Sequence, residues 1–347
     1  MAGFWCTIDA IFMASLTKLL ASSSPSGRLR PVDIRRDLNP VADLMENSFS
    51  ETLDPDGRRY LQQMRSAANN PGFLRWAGLA AEGARVPFSG YVWEEDGQVV
   101  GNLTLIPYYT LGLRYMLVAN VAVHSNYRRK GIATSLTLKA IEHARGRGAQ
   151  AIWLHVREEN EGATRMYRSL GFVERARRTT WVTDEVQPPG SVGPVINQGV
   201  RITPGISVHP RRASDWRLQH DWLEKLYPAQ LSWHLSLKFN ALRPDLWGLL
   251  IRVLNDIHVR QWSARQNDRL AGVLTWQLMP AYADSLWLAT APEFEEEAAG
   301  ALLQYARSHL PSRRPLSLDY PAERASQAIQ AAGFHLHQTL IWMSMDL

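Results

Sequence analysis

The alternation of apolar and polar positions divides the chain into short strand-like runs and segments of helical period. Residues 29–34 predict a strand, 40–49 a helix, and 57–67 a second helix carrying Tyr60, Leu61 and Met64. Residues 90–93 and 99–105 predict paired strands. Residues 94–98 between them predict a hairpin turn, because Asp96-Gly97 readily takes positive φ. Residues 114–123 predict the next strand. A helical period follows over 134–145, closed by Gly146-Arg147-Gly148, and then a buried strand at 151–156. A short helix starts at Asn160 and stops at Gly171. The order is antiparallel strands, then strand–helix–strand with a right-handed parallel crossover. The expected fold class is α/β, a mixed sheet with helices on both faces.

Residues 184–199 are rich in proline and glycine, lack an apolar period and predict a linker. Beyond them the pattern repeats in weaker form. Residues 214–226 predict a helix, and 259–264 and 270–277 flank an Asn267-Asp268 turn. A strand at 285–289, a helix at 293–308 and a strand at 316–318 follow. The closing helix, 322–334, ends in Ala332-Gly333-Phe334, as the earlier one ends in Leu170-Gly171-Phe172. Counting back from the two glycines places Tyr167 opposite Ile329 and Asn160 opposite Ala322. The expected division is an N-terminal extension (1–27), a first domain (28–183), the linker and a second domain (200–347).

In the extension Trp5, Ile8, Phe12, Leu16 and Leu19 share one helical face. No basic stretch precedes them and Asp9 interrupts them, which argues against a secretory leader; the run is also short for a membrane span. The reading is an amphipathic helix or a poorly ordered extension, with membrane-surface contact by residues 1–20 the lesser alternative.

The composition of the 347 residues, 46% hydrophobic and 20% charged with a formal net charge of +5, is that of an ordinary globular protein. The single cysteine, Cys6, excludes an intramolecular disulfide and a cysteine zinc site, and a reducing, cytoplasmic setting is the expectation. Arginines gather around residues 128–178. Nucleic acid is not the expected partner, because a phosphate-rich cofactor and solvated helix faces account for them more economically. The tryptophans of the second half, Trp216, Trp222, Trp233, Trp247, Trp262, Trp276 and Trp287, read as core and interface.

The most specific chemistry lies at the junction of the strand ending Val121-Ala122-Val123 and the helix that follows. Arg128-Arg129-Lys130-Gly131-Ile132-Ala133 puts three cations and two nearly bare backbone positions at a helix start. The unpaired N–H groups there, through Thr134, and the positive end of the helix dipole suit a pyrophosphate.

With Asn160, Tyr167, Gly171 and Phe172 following at their spacing, residues 114–172 resemble the acetyl-coenzyme A core of the GNAT superfamily of N-acetyltransferases. That resemblance implies a mainly antiparallel sheet with a parallel strand–helix–strand core, here duplicated. It implies acetyl-CoA as co-substrate, no metal, and direct transfer to an amine acceptor, a small molecule or a peptide N-terminus. Val121, Ala122 and Val123 would present backbone groups to the pantetheine and thioester, and residues Arg128 to Thr134 would hold the pyrophosphate. Tyr167 would be the general acid; Asn160 would cap its helix and contact the pantetheine. Asn120 stands near where some relatives carry an acidic residue and cannot deprotonate an amine. Glu94 and Glu95 read as turn residues, His124 and His155 as structural, and the base is unassigned. The second half is acidic at 289–295 where the first is basic, and reads as a degenerate copy. A non-catalytic acyl-CoA-binding or regulatory protein is the alternative. Monomer and homodimer both remain open.

Overall fold

The computed structural model describes residues 27–79, 88–110, 112–184, 205–228, 231, 235–310 and 314–347. The described residues fall into two compact units. One holds those up to His155 with Arg165–Val173 and Ser344–Leu347; the other holds those of Val156–Thr164 and Glu174–Met343.

The first unit contains β1 (Arg28–Pro31), α1 (Ile34–Phe49), α2 (Pro55–Ala68), α3 (Pro71–Leu79), β2 (Gly90–Glu95), β3 (Gln98–Thr110) and β4 (Leu113–Val123). After them come α4 (Ile132–Gly146), β5 (Ala151–Arg157) up to His155, and α5 (Glu161–Ser169) from Arg165; the residues of β5 and α5 within Val156–Thr164 belong to the second unit. The strand order is β1-β2-β3-β4-β5. β1 to β4 are antiparallel, and β5 runs parallel to β4. Leu38, Val41, Leu61 and Met64 of α1 and α2 pack with Val92 and Ala122 on one sheet face. The α4 helix lies on the other, against Gly101 of β3.

α1 begins at Ile34, where the sequence predicts strand up to that residue and helix only from 40. Asp33 is the reason: its carboxylate accepts from the Arg35 N–H (3.0 Å), while Asp37 takes the Asp33 N–H (2.7 Å). Pro40 sits inside this helix, which therefore continues through a missing donor. α2 starts at Pro55, capped by Asp54, whose carboxylate accepts from the Gly57 N–H. α3 has no counterpart in the sequence reading. The hairpin forms as expected: Asp96 (φ 50°) and Gly97 (φ 76°) join the paired Glu95 and Gln98.

The second unit repeats this order. It contains β6 (Val173–Val182), β7 (Ile206–Pro210), α6 (Trp216–Leu226), α7 (Leu246–Leu254), β8 (Val259–Gln266), β9 (Arg269–Gln277) and β10 (Asp284–Thr290). After them come α8 (Glu295–His309), β11 (Leu316–Pro321), α9 (Ser326–Ala331) and β12 (His335–Asp346). The strand order is β12-β6-β11-β10-β9-β8-β7. β10 and β11 are parallel, and Asn267 (φ 47°) and Asp268 (φ 62°) make the hairpin between β8 and β9. The compact units cut across the expected boundary at 184–199. β6 finds its hydrogen-bond partner on β11, from Ser317 opposite Val182 to Pro321 opposite Arg178. Thr179 of β6 also meets Thr339 of β12 through their hydroxyls (2.9 Å).

The helix expected at 322–334 is only α9, because Glu323 (φ 68°) and Ala325 (φ 47°) turn the chain before it. Trp262 and Trp287 are buried, and Trp216, Trp222 and Trp276 pack on the core. Trp247 is not part of the core: it is 60% exposed on α7. The residues 1–26 that carry Cys6 and the amphipathic face, the linker after Asp184, and Trp233 lie outside the described residues. Among the described residues no helix is long and apolar enough to cross a membrane.

Candidate active site

The β4 strand is not a regular partner of β3. Asn102 faces Ala122 and Thr104 faces Ala119, so Asn120 and Val121 together stand opposite Leu103. Asn120 takes φ 53° there. The parallel pairing of β4 with β5 runs from Tyr115–Ala151 to Val118–Leu154 and stops just short of this bulge. Val121, Ala122 and Val123 follow it. Ala122 is 2% exposed, its methyl group turned into the core of α1 and α2, so what this residue can offer a ligand is backbone.

From the end of β4 the chain makes a 3-10 turn, Ser125–Tyr127, with the His124 ring accepting from the Asn126 N–H (3.3 Å). His124 is thus a capping residue. Arg129 (φ 62°) and Gly131 (φ 78°) then bend the backbone into α4. Gly131 is the N-cap and has no side chain to satisfy the helix start. Closure of the first turn comes with Ser135 N–H donating to the Gly131 carbonyl (2.9 Å). The N–H groups of Ile132, Ala133 and Thr134 therefore have no acceptor within the helix. A β-carbon on Gly131 would meet nothing within 4 Å, so the approach to these donors is open.

Arg128, Arg129 and Lys130 are exposed. Arg128 Nε donates to the Val123 carbonyl (3.2 Å), and Lys130 Nζ lies 4.7 Å from the Tyr127 ring centroid. Among the described residues none of the three has an acidic partner. Three cations without an acidic partner beside N–H donors that lack a helical acceptor are an arrangement that could hold an anion such as a pyrophosphate.

Tyr167 belongs to the same unit. It is 5% exposed and meets Phe172 edge-on at 5.8 Å. Burial pushes its phenol up to about 12, so it holds its proton at neutral pH. Asn160 belongs to the other unit, so the structure does not gather all the expected site residues into one. Its side-chain oxygen accepts from the Ala163 N–H (3.1 Å) and caps α5.

Glu94 is engaged by Arg30 (2.5 Å) and Arg36 (3.4 Å), which fits a structural carboxylate rather than a base. A cavity of about 460 Å³ lined by Arg30, Arg36, Asp37, Glu94, Val99 and His124, among others, has its two arginines paired with Asp37 and Glu94. Among the described residues no group of histidine, cysteine and carboxylate side chains could hold a metal ion. The sequence reading gave no role to Asn102, Tyr60 and Thr104, which surround the bulge; asparagines in otherwise apolar strands were the available signal.

In the second unit the corresponding place is built differently. Gly101 pairs with Val123, and Gly272 pairs with Thr290, which makes the two strand ends equivalent. Gly101 lies under Ile132 and Leu136, and Gly272 under Ala298 and Leu302, which aligns the two helices. On that alignment α8 starts one turn earlier than α4, and the extra turn is Glu295, Glu296 and Glu297. It stands where the first unit has its cationic turn. The Tyr320 hydroxyl donates to Glu295 (2.6 Å) and lies 3.3 Å from the Thr290 hydroxyl. β10 pairs with β9 without a bulge. Phe334 N–H donates to the Ile329 carbonyl as Phe172 N–H does to that of Tyr167, so Ile329 stands where the phenol would be.

Comparison with known proteins agrees with this geometry. The Acetyltransferase (GNAT) family profile matches residues 45–172. GCN5-related N-acetyltransferase 4, chloroplastic, of Arabidopsis thaliana is 42% identical over 79 residues, 22% of this chain and 26% of that protein. Mycothiol acetyltransferase of Thermobifida fusca is 29% identical over 132 residues, 38% of this chain and 33% of that protein. The chain thus spans a third or less of the length of these two curated relatives. The crystal structure of a GCN5-related N-acetyltransferase from Sphaerobacter thermophilus aligns over 93% of this chain and 96% of its own, with a TM-score of 0.54 and 15% identity, a likeness of fold. The family likeness is carried by residues 45–172, which match the Acetyltransferase (GNAT) family.

Proposed function

We propose that the chain transfers an acetyl group from acetyl-CoA directly to the nitrogen of an amine, and that residues 28–183 carry the catalysis while 200–347 form a GNAT-like copy without a cofactor site. The observation that carries this reading is the turn Arg128 to Ala133, open and uncompensated at the start of α4, directly after the bulged end of β4. The pyrophosphate would take the N–H groups of Ile132, Ala133 and Thr134 with Arg128, Arg129 and Lys130 around them. The backbone of Val121, Ala122 and Val123 would hold the pantetheine and thioester, and an N–H there would stabilise the oxyanion, worth roughly 3 kcal/mol in comparable sites. Tyr167 would give its proton to the departing thiolate. The two relatives' names, an N-acetyltransferase and a mycothiol acetyltransferase, support acetyl transfer and leave the acceptor open.

The test is release of free thiol from acetyl-CoA with a panel of spermidine, lysine, glucosamine, kanamycin and a peptide with a free alanine N-terminus. Amine-dependent thiol release supports the reading. CoA binding with no amine-dependent release from any member would replace it with a non-catalytic acyl-CoA-binding protein.

A further inference from the structure

The bulge in β4 is held by side chains that the acyl-transfer chemistry above does not use. Its left-handed position ordinarily goes to glycine, which adopts φ 53° without cost; here it is Asn120. Asparagine tolerates this conformation better than other side chains, and it adds functional groups that glycine lacks. The Asn120 backbone carbonyl accepts from Asn102 Nδ2 (3.0 Å), and Asn102 is 1% exposed. Asn120 Nδ2 donates to the Tyr60 hydroxyl (3.3 Å) and to the Thr104 hydroxyl (3.4 Å). Thr104 is buried, and Tyr60 is half-buried among the apolar side chains of α1 and α2. Both hydrogens of the amide nitrogen are thereby engaged. The side-chain carbonyl Oδ1, on a half-buried residue immediately before Val121, remains an acceptor without a partner among the described residues.

We propose that Asn120 Oδ1 receives an N–H of the incoming amine and turns its lone pair toward the acyl carbon, with Tyr60 and Thr104 as positioning residues that fix the amide. The inference rests on the acetyl-transfer reading, because it needs the thioester seated along Val121 to Val123. In the step it serves, the amine lone pair forms the C–N bond and the C–S bond breaks with its electron pair going to sulfur. Nitrogen loses one proton to solvent, and sulfur gains one from Tyr167, which solvent restores. An amide oxygen does not take up a proton at neutral pH, so Asn120 does not deprotonate the amine, which reacts only when it arrives neutral. For such a site kcat/KM rises with pH up to the acceptor's own pKa.

Three variants test this, using the panel amine with the highest turnover. Asn120→Gly keeps the left-handed backbone and removes the amide. It is expected to raise the acceptor KM about tenfold, a loss of about 1.4 kcal/mol, while CoA affinity measured by calorimetry is unchanged. Tyr60→Phe removes only the hydroxyl and is expected to move the same parameter by about threefold; it serves alone if Asn120→Gly does not fold. Asn120→Asp puts a carboxylate beside the amine and is expected to shift the acid limb of the kcat/KM profile, which a purely structural role would leave in place. Acceptor KM and pH profile unchanged in all three variants, with wild-type turnover intact, overturns the inference and leaves acetyl transfer standing. Absence of turnover by the wild type with every amine overturns both.

Discussion

A β-carbon on Gly101 would stand 2.7 Å from Cγ2 of Ile132, the first residue of α4. The missing side chain sets how closely the helix lies on the sheet, and hence where the N–H groups of Ile132, Ala133 and Thr134 point. Gly101→Val puts three carbons into occupied space and must lift the helix start, a distortion of the kind that costs 1–3 kcal/mol. The expected result is CoA affinity lowered about tenfold in calorimetry, with far-UV circular dichroism retained. Wild-type affinity in a folded Gly101→Val protein would separate the sheet contact from the anion site.

Gly131 presents the complementary case, conformation without crowding. Its φ is 78° and an added β-carbon meets nothing, so Gly131→Ala carries only the left-handed strain, about 1–2 kcal/mol. If the turn is preorganised for an anion, that strain appears as weaker CoA binding by about fivefold or more and a lower thermal midpoint. Gly131→Asn, with a residue that tolerates this conformation, is expected to lose less. Equal affinity in all three proteins argues against a role for this turn in binding.

The elements most legible in the sequence were those fixed by local chemistry. Asp96-Gly97 forms the hairpin because both residues take positive φ. Gly171 (φ 97°) and Gly333 (φ 81°) end their helices by the same pair of backbone hydrogen bonds, so the alignment of Tyr167 with Ile329 could be counted from the glycines. Features set by distant partners were hidden. β6 belongs to a compact unit with β11 across more than a hundred residues, and no local pattern records that pairing. The bulge at Asn120 depends on register with Asn102 of β3 and on Tyr60 of α2. Charge reversal at 289–295 was readable; that the acidic residues form an extra helical turn closed by Tyr320 was not.

That closure makes a prediction about stoichiometry. In the second unit the Tyr320 hydroxyl is tied to Glu295 and Thr290, and Arg324 pairs with Glu295 (2.8 Å). An anion arriving there would meet three carboxylates in the first turn of α8, against the repulsion of like charge. Titration of the chain with CoA is expected to saturate at one equivalent, and Arg129→Ala with Lys130→Ala to weaken that single site. A second equivalent that survives the double substitution would place a working site outside the first unit.

Tyr167 ties the buried phenol to both activity and stability. Held by burial at about 12 rather than the ordinary 10, it stays protonated through any assay near neutrality. It can therefore donate to a thiolate without imposing a limb on the neutral pH profile. Tyr167→Phe keeps the ring and its edge-on contact with Phe172, so CoA affinity is expected to hold while kcat falls by about two orders of magnitude, the usual scale of a positioned proton donor. The same shift has a second consequence. Between pH 10 and 12 the folded chain keeps a proton that the unfolded chain has released, so stability drops as pH rises through that window. Denaturant titrations at pH 9 and 11 are expected to show a smaller loss for Tyr167→Phe than for the wild type. A variant with unaltered kcat but a flattened alkaline stability profile would make this tyrosine a buried core residue and return the proton donor to solvent.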